Sequence, residues 1–182
     1  MTIWFSSDHH FDQDFGKFMD SSGKGARPFS SVEEMNETMV ERHNKVVRVN
    51  DHWYCLGDFA MSKQAVERWL PRLNGHARLV MGNHDIFDAS FYLKAGFKKL
   101  CGVRKFENTP LWFTHIPMAP WSFGKQLANI HGHVHHNKPL VYDRTNPDEE
   151  GFVHSKRYIN ICVEATNYAP VSLEQLMVLA TR

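Results

Sequence analysis

The chain has 182 residues, of which 23% are charged, and a formal net charge of +1. This length favours one domain over residues 1–182 with a sizeable core, and the composition is that of a globular rather than a disordered protein. The near-neutral charge excludes an overall basic footprint for nucleic acid, and no stretch reaches the ~20 apolar residues that a membrane-spanning helix needs. The N-terminus has no basic segment before a long apolar run, so we expect a cytoplasmic protein without a signal peptide.

Histidine is the unusual residue of the composition, with twelve in the chain. Four of them fall in HGHVHH at 131–136, inside the chain rather than at a terminus, so the cluster is not a tag. The three cysteines, Cys55, Cys101 and Cys162, are far apart in the sequence. Their separation predicts buried free thiols rather than a disulfide framework or a cysteine zinc site.

The first half of the chain alternates between strand-like and helix-like segments. The first helix begins at a capping box, formed either by Ser30 with Glu33 or by Ser31 with Glu34. An alternation of this kind predicts βαβ units and a parallel sheet. The predicted elements are, in order, a strand over 2–7, a helix over 30–47, a strand over 52–57, a helix over 63–73 and a strand over 77–82.

The second half predicts consecutive strands joined by longer loops. A turn at 108–110 separates two of these strands, and Ser172 begins a short terminal helix. The polar segment 137–157 is expected to be a long loop, and the sequence leaves open whether it closes over a site. The other elements are strands over 97–103, 105–115, 128–130 and 158–164, and a Pro-rich loop over 116–126.

Metal-binding residue types follow one strand-like segment after another. Because sites in open α/β sheets form beyond the carboxyl ends of strands, we expect these side chains to meet at one edge. Within the first and the last segment the candidates are two residues apart, and in extended backbone such residues point the same way. Gly57, Gly82 and Gly132 each precede a candidate, where glycine permits a close approach of the backbone. The candidate ligands are Asp8, His10, Asp58, Asn83, His115, His133 and His135.

The chemistry of this ligand set favours a dinuclear centre. The set contains no thiolate, which argues against a closed structural zinc site. Seven oxygen and imidazole ligands are too many for one catalytic ion, and they suit two divalent cations about 3.5–4 Å apart that share a carboxylate. Mn²⁺ is the expected metal because carboxylate, amide and imidazole ligands suit it, with Fe or Zn as alternatives.

Five short motifs occur in a fixed order along the chain. They are D-x-H at 8–10, G-D at 57–58, G-N-H-D at 82–85, a lone His115 after a strand, and G-H-x-H at 132–135. Together they resemble the calcineurin-like metallophosphoesterase superfamily, in particular its small, uncapped members that cleave phosphodiesters or phosphomonoesters. The resemblance implies a four-layer α/β/β/α sandwich with two mixed sheets and a metal site at the C-terminal ends of the strands.

The resemblance also implies a role for each site residue. His84 would face the substrate, where it stabilises the transition state or protonates the leaving oxygen. A water activated by the metals would attack phosphorus in line. The first metal would be bound by Asp8, His10, Asp58 and His135, and the second by Asp58 as the bridge together with Asn83, His115 and His133.

The sequence departs from one branch of the superfamily at Met61, where protein-phosphatase-like members continue to an Asp and an Arg after the G-D block. This departure weakens the case for a phosphoprotein phosphatase and leaves the residue that orients His84 unassigned. Asp85 is expected to hold its turn by hydrogen bonds rather than to take part in chemistry. Arg27 is either a bidentate clamp for a substrate phosphate or an ordinary surface arginine.

The predicted function is hydrolysis of a small phosphate ester, such as a nucleotide, by a dinuclear metal-dependent phosphoesterase. The alternatives are a nuclease on DNA or RNA, which the near-neutral charge disfavours, and a non-catalytic scaffold, which the complete ligand set disfavours. The sequence leaves open the physiological substrate, the preference for monoesters or diesters, and the oligomeric state.

Overall fold

The computed structural model describes residues 1–14, 16, 27–137, 141–142, 152–153 and 155–182. The described helices are α1 (Val32–Val46), α2 (Lys63–Trp69), α3 (Ala89–Ala95) and α4 (Leu173–Ala180). The described strands are β1 (Ile3–Ser6), β2 (His52–Cys55), β3 (His76–Val80), β4 (Leu100–Cys101), β5 (Val103–Lys105), β6 (Leu111–Thr114), β7 (Ala128–His131), β8 (Val141–Tyr142), β9 (Phe152–Val153), β10 (Tyr158–Asn160) and β11 (Val171–Ser172). None of the described helices has the length and apolar character to span a bilayer.

Two mixed sheets form the framework, as expected from the sequence. The first has the order β11-β1-β2-β3-β4, in which β1 to β4 are parallel and β11 is an antiparallel edge strand. The second has the order β10-β7-β6-β5, in which only β5 is antiparallel to its neighbour. The parallel strands bring the ends of β1, β2 and β3 to one edge and those of β6 and β7 to the corresponding edge of the second sheet.

Helix α1 illustrates how the sequence fixes a local element. Ser31 is the residue before the helix, and its hydroxyl accepts a hydrogen bond from the backbone N–H of Glu34. The Glu34 carboxylate accepts in turn from the backbone N–H of Ser30, so the cap uses both serines. Met35 and Met39, one helical turn apart, are buried in the apolar cluster beside the first sheet.

The space between the sheets is filled by aromatic and aliphatic side chains from both. Phe5 of the first sheet stacks on Phe113 of the second, with ring centroids 4.4 Å apart, and on Tyr54 at 5.5 Å. Ile130 and, from α4, Leu176 complete the same buried cluster. Burial of this apolar surface holds the two sheets face to face, so the strand ends on both sheets keep a fixed separation.

The outer face of the second sheet is covered by the loop at 116–126, which contains a short 3₁₀ helix. Trp112 and Asn129 alternate along their strands with residues of the inter-sheet cluster and therefore face this loop. Asn129 accepts from the backbone N–H of Met118 at 2.8 Å, and the Trp112 indole donates to the carbonyl of Phe123 at 3.2 Å. The loop predicted from the sequence is thus tied to the strands beneath it.

Several sequence-based element predictions need correction. The strand expected over 105–115 is divided between the end of β5 and β6. The loop expected over 137–157 contains the antiparallel strands β8 and β9, and its residues 138–140, 143–151 and 154 lie outside the described part of the chain. Helix α3 was not predicted, and the strand expected over 97–103 is two separate elements. Gly96 ends α3, Phe97 turns into the core, and the chain passes from β4 in the first sheet to β5 in the second at Gly102. The strand expected over 158–164 ends at Asn160, after which a 3₁₀ helix carries Glu164.

Removing the Phe113 ring should cost much of the inter-sheet packing. We expect Phe113→Ala to lower the free energy of unfolding by about 3–5 kcal/mol, because it leaves a cavity between the sheets. Chemical denaturation measures this loss. Val103→Ala on the neighbouring strand β5 is the control, since its side chain is 49% exposed and should cost less than about 0.5 kcal/mol. Equal losses for the two variants would contradict the assignment of Phe113 to the core.

A buried histidine should make the fold sensitive to mild acid. Burial lowers the pKa of His43 to about 4, against its hydrogen bond to the carbonyl of Asn74, whereas in the unfolded chain the pKa is near 6.5. Below pH 6.5 the unfolded chain therefore binds more protons, and stability falls as the pH falls.

Between pH 7 and pH 5 this effect amounts to about 2 kcal/mol. We expect the free energy of unfolding of His43→Leu to fall by about 2 kcal/mol less than that of the wild type between pH 7 and pH 5. Urea unfolding at each pH measures the difference. Identical pH dependence of the two proteins would show that His43 is not held neutral by the fold.

Candidate metal centre

The seven predicted ligands all lie just beyond strand ends. They follow β1, β2, β3, β6 and β7, which are strands of both sheets. Two groups of three have ligand atoms within 4.8 Å of one another. The first group is Asp8, His10 and His135, and the second is Asp58, His115 and His133.

Asp58 lies between the two groups. Its Oδ2 atom is 3.4 Å from Nε2 of His115 in its own group and 3.5 Å from Nε2 of His10 in the other. One carboxylate oxygen thus faces imidazole nitrogens from both groups. This is the position expected of a ligand shared by two cations.

Asn83 completes the second group. Its Oδ1 atom is 2.8 Å from Nε2 of His115 and 2.9 Å from Nδ1 of His133. An amide oxygen and two ring nitrogens therefore converge on one point, although the residues come from loops after three different strands. Asn83 and His133 are exposed, whereas His115 is buried, so the second group opens to solvent on one side.

The rings of His115 and His10 are oriented for binding through Nε2, whereas His133 faces Asn83 through Nδ1. Nδ1 of His115 donates to the carbonyl of Leu56 at 2.8 Å, and Nδ1 of His10 lies 3.3 Å from the thioether sulfur of Met61. A proton on Nδ1 leaves the lone pair of Nε2 available as the ligand atom, the tautomer being assigned from these contacts. Met61, at which the sequence differs from the protein-phosphatase-like branch, therefore contacts the candidate ligand His10.

Five of the seven candidate ligands have a left-handed rather than an extended backbone conformation. Positive φ angles occur at Asp8 (61°), His10 (49°), Asp58 (52°), His133 (72°) and His135 (51°). The expectation that the two D-x-H and H-x-H pairs point the same way because they are extended was therefore wrong, although each pair does converge on the centre. Non-glycine residues adopt this region uncommonly, and such conformations concentrate at functional sites.

The glycines before the ligands are required by close packing. A Cβ atom on Gly132 would overlap the hydroxyl of Ser7 and the carboxylate of Asp8, and one on Gly82 would overlap the carboxylate of Asp58. Any side chain at these positions would occupy the space that the carboxylates use. The predicted role of glycine in close backbone approach therefore has a specific steric reason at both positions.

Asp8 is a fully buried carboxylate with several donors around it. Its oxygens accept from the backbone N–H of His133 at 2.9 and 3.1 Å and from the Cys162 thiol at 3.2 Å. Burial by itself raises the pKa of Asp8, but the neighbouring imidazoles of His10 and His115 outweigh it and hold the pKa well below its usual range. Asp8 is therefore ionised at neutral pH and available to a cation.

Cys162 does not belong to the ligand set in spite of its contact with Asp8. Burial, followed by the charges of Asp8 and Glu164, raises the pKa of the Cys162 thiol well above its ordinary value. The group remains a neutral thiol that donates a hydrogen bond, so the ligands are carboxylate, amide and imidazole alone. Such a set fits Mn²⁺, Fe or Zn in a site with open positions and does not fit a closed thiolate site.

Asp85 holds the loops that carry the second group. Its carboxylate accepts from the backbone N–H groups of Asp58 at 2.8 Å, Phe59 at 3.2 Å and Gly82 at 2.8 Å. Burial raises the pKa of Asp85, against these three donors. The predicted role in holding the turn is confirmed, and it extends to the loop after β2.

His84 lies on the exposed side of the centre. Its backbone N–H donates to Oδ1 of Asp58 at 2.9 Å, which fixes the residue next to the shared carboxylate. Its ring centroid is 5.3 Å from that of His10, and the side chain is exposed. The imidazole is thus accessible from solvent and lies beside the ring of His10, while the backbone of the residue contacts Asp58.

Arg27 lies behind the centre instead of facing it. Its guanidinium is buried, pairs with Glu164 at 2.8 Å and donates to the backbone carbonyls of Asp8 at 2.6 Å and His9 at 2.8 Å. This placement contradicts both readings of Arg27, the phosphate clamp and the surface arginine. Buried in this way, the guanidinium braces the loop that carries the first two ligands.

Glu164 was missed in the sequence. Its Oε1 atom accepts from Nδ1 of His135 at 3.0 Å, so it contacts a candidate ligand directly. Burial raises the pKa of Glu164, but the hydrogen bond from His135 and the charge of Arg27 lower it further, so the carboxylate is ionised. Its only sequence signal is its place as the acidic last residue of the final strand-like run, YINICVE.

The steric role of Gly132 is testable with a matched glycine. We expect Gly132→Ala to weaken Mn²⁺ binding by at least tenfold, because the added methyl group displaces Asp8 or Ser7. Calorimetric titration of metal-free protein measures the change. Gly102→Ala is the control, since a Cβ there meets nothing within 4 Å. Unchanged binding in the Gly132 variant would contradict the proposed contact between this loop and the ligands.

Comparisons with known proteins identify the family and the fold of the chain. The family model for calcineurin-like phosphoesterases matches residues 1–172. An uncharacterized protein of Methanocaldococcus jannaschii is 34% identical over 181 residues, which are 97% of this chain and 90% of that protein. The crystal structure of a protein of unknown function from Aquifex aeolicus has the same fold, with a TM-score of 0.66, 22% identity and 98% of each chain covered. The chain therefore belongs to the calcineurin-like phosphoesterase family, whose members are hydrolases of phosphoester bonds.

Proposed function

We propose that this protein is a dinuclear metal-dependent phosphoesterase that hydrolyses a diester or monoester bond of a small substrate such as a nucleotide. The observation that carries the proposal is the position of Asp58 Oδ2, between imidazole nitrogens of two separate ligand groups. Membership of the phosphoesterase family supports the same reaction class. The ligand set, which has oxygen and imidazole donors only, supports Mn²⁺ as the metal.

The candidate metal ligands are arranged for this reaction. Two divalent cations bound here would act as Lewis acids on a phosphoryl oxygen and generate the nucleophilic water at neutral pH. Two buried carboxylates, Asp8 and Asp58, would hold these cations, and Asp58 would be shared between them. Asp85 fixes the loop of Asp58 by accepting hydrogen bonds from the backbone N–H groups of Asp58 and Phe59, so the position of the Asp58 carboxylate is well defined.

His84 is the candidate catalytic residue of the chain. Its backbone is tied to Asp58, and its exposed imidazole can approach a substrate from the open side. A neutral or protonated imidazole in this position can stabilise charge on the phosphoryl group or give a proton to the leaving oxygen. Removal of the imidazole should therefore slow turnover while both ligand groups stay intact.

Two substitutions separate the role of the metal ligands from that of His84. We expect Asp58→Asn to lose Mn²⁺ binding and turnover together, because the shared charge is removed. His84→Ala should keep both Mn²⁺ ions and lose turnover by about 10²–10⁴-fold. Hydrolysis of bis-p-nitrophenyl phosphate and p-nitrophenyl phosphate with added Mn²⁺ measures turnover, and calorimetry measures binding.

The control is His76→Gln, at the start of β3 and thus at the opposite end of the strand from the ligands. It should leave binding and turnover unchanged. Single-stranded DNA and RNA in the same assays test the nuclease alternative. Wild-type protein that binds two Mn²⁺ ions but cleaves neither nitrophenyl ester, nor a panel of nucleotides and sugar phosphates, would refute the proposed function.

A further inference from the structure

The two ligand groups are supported from behind by different chemistry. In the first group, Nδ1 of His135 donates at 3.0 Å to the carboxylate of Glu164, which forms an ion pair with Arg27, while Nε2 faces Oδ1 of Asp8 at 3.9 Å. In the second group, Nδ1 of His115 donates to a neutral backbone carbonyl, that of Leu56, at 2.8 Å. The imidazole of His135 thus has a charged acceptor behind it, and the imidazole of His115 has an uncharged one.

The Glu164 carboxylate is itself held in a fixed position. Its side chain is 3% exposed, and its Oε1 atom also accepts from Nε of Arg27, whose side chain is fully buried. Arg27 in turn donates to the backbone carbonyls of Asp8 and His9. One buried ion pair therefore contacts both the ring of His135 and the backbone of the loop that carries Asp8 and His10, which together provide all three candidate ligands of the first group.

A carboxylate behind a metal-binding imidazole has two physical effects. It fixes the tautomer and the ring orientation, and its charge makes the opposite nitrogen a better electron donor to a cation. A backbone carbonyl fixes the ring but adds no net charge. Loss of such a supporting group typically weakens metal affinity by about 10–100-fold.

We propose that Glu164 is a positioning residue of the first metal position, and that the Glu164–Arg27 pair makes this position bind a divalent cation more tightly than the second. The inference deepens the proposed function, because it depends on the dinuclear site described above. The observations that carry it are the contact of Glu164 with His135, the contacts of Arg27 with the Asp8 loop, and the neutral partner of His115.

The test is a titration of metal-free protein with Mn²⁺. Calorimetry and the electron paramagnetic resonance signal of free Mn²⁺ monitor binding. The wild type should bind two ions in two resolved steps. Glu164→Gln should weaken the tighter step by about 10–100-fold and leave the weaker step unchanged. Glu174→Gln, an exposed glutamate in α4, is the matched control and should bind as the wild type does.

Two further backgrounds assign the effect to one position. In His115→Ala, where only the first group is complete, Glu164→Gln should weaken Mn²⁺ binding. In His135→Ala, where only the second group is complete, the same substitution should change nothing. A general loss of structure would lower affinity in both backgrounds, so this pair of results distinguishes a positioning role from a structural one.

An unpaired Arg27 could unfold the Glu164→Gln variant, so a second variant removes both charges. Arg27→Met combined with Glu164→Gln leaves no buried charge without its partner and should show the same selective loss of the tighter step. Thermal unfolding of the metal-free proteins shows which variants are folded.

Equal weakening of both steps, no weakening of the tighter step, or two indistinguishable steps in the wild type would each overturn the inference. Wild-type protein that binds no Mn²⁺ would overturn both this inference and the proposed function. Two bound ions and a selective Glu164 effect without any turnover would support this inference while refuting the proposed function.

Discussion

The arrangement of the centre follows from two carboxylates that are almost completely removed from water. Asp8 and Asp58 lie 3.8 and 3.5 Å from the same nitrogen of His10, and both are at most 2% exposed. Negative charges so close together in a buried site are stable only where donors or cations surround them. The backbone N–H of His133, the thiol of Cys162 and the backbone N–H of His84 supply part of this compensation.

The two-sheet framework explains how these charges are brought together. Parallel strands deliver their following residues to one edge, and the stacked aromatic rings between the sheets fix the distance between the two edges. Loops then enter the left-handed region at five candidate ligand positions, which turns each side chain inward within two to four residues of its strand. Glycine at 82 and 132 leaves the room that the carboxylates need.

The sequence was sufficient for the features that follow from local pattern and strand order. It predicted the parallel sheet, the capped helix α1 and the convergence of ligand residues beyond strand ends, because each depends on short-range periodicity. It did not predict α3, a seven-residue helix without a side-chain cap that packs through Tyr92. It also failed for Arg27 and Glu164, since their roles depend on a contact between residues 137 positions apart, which no local pattern reveals.

The separation of Arg27 and Glu164 along the chain has a consequence for biosynthesis. All residues of the second ligand group are translated by the time His133 is made, whereas the partner of His135 is a residue of the C-terminal segment. All seven candidate ligands therefore leave the ribosome before Glu164 does. Full support for the first group arrives only when Glu164 has emerged, so a truncated product that ends before Glu164 would lack that support.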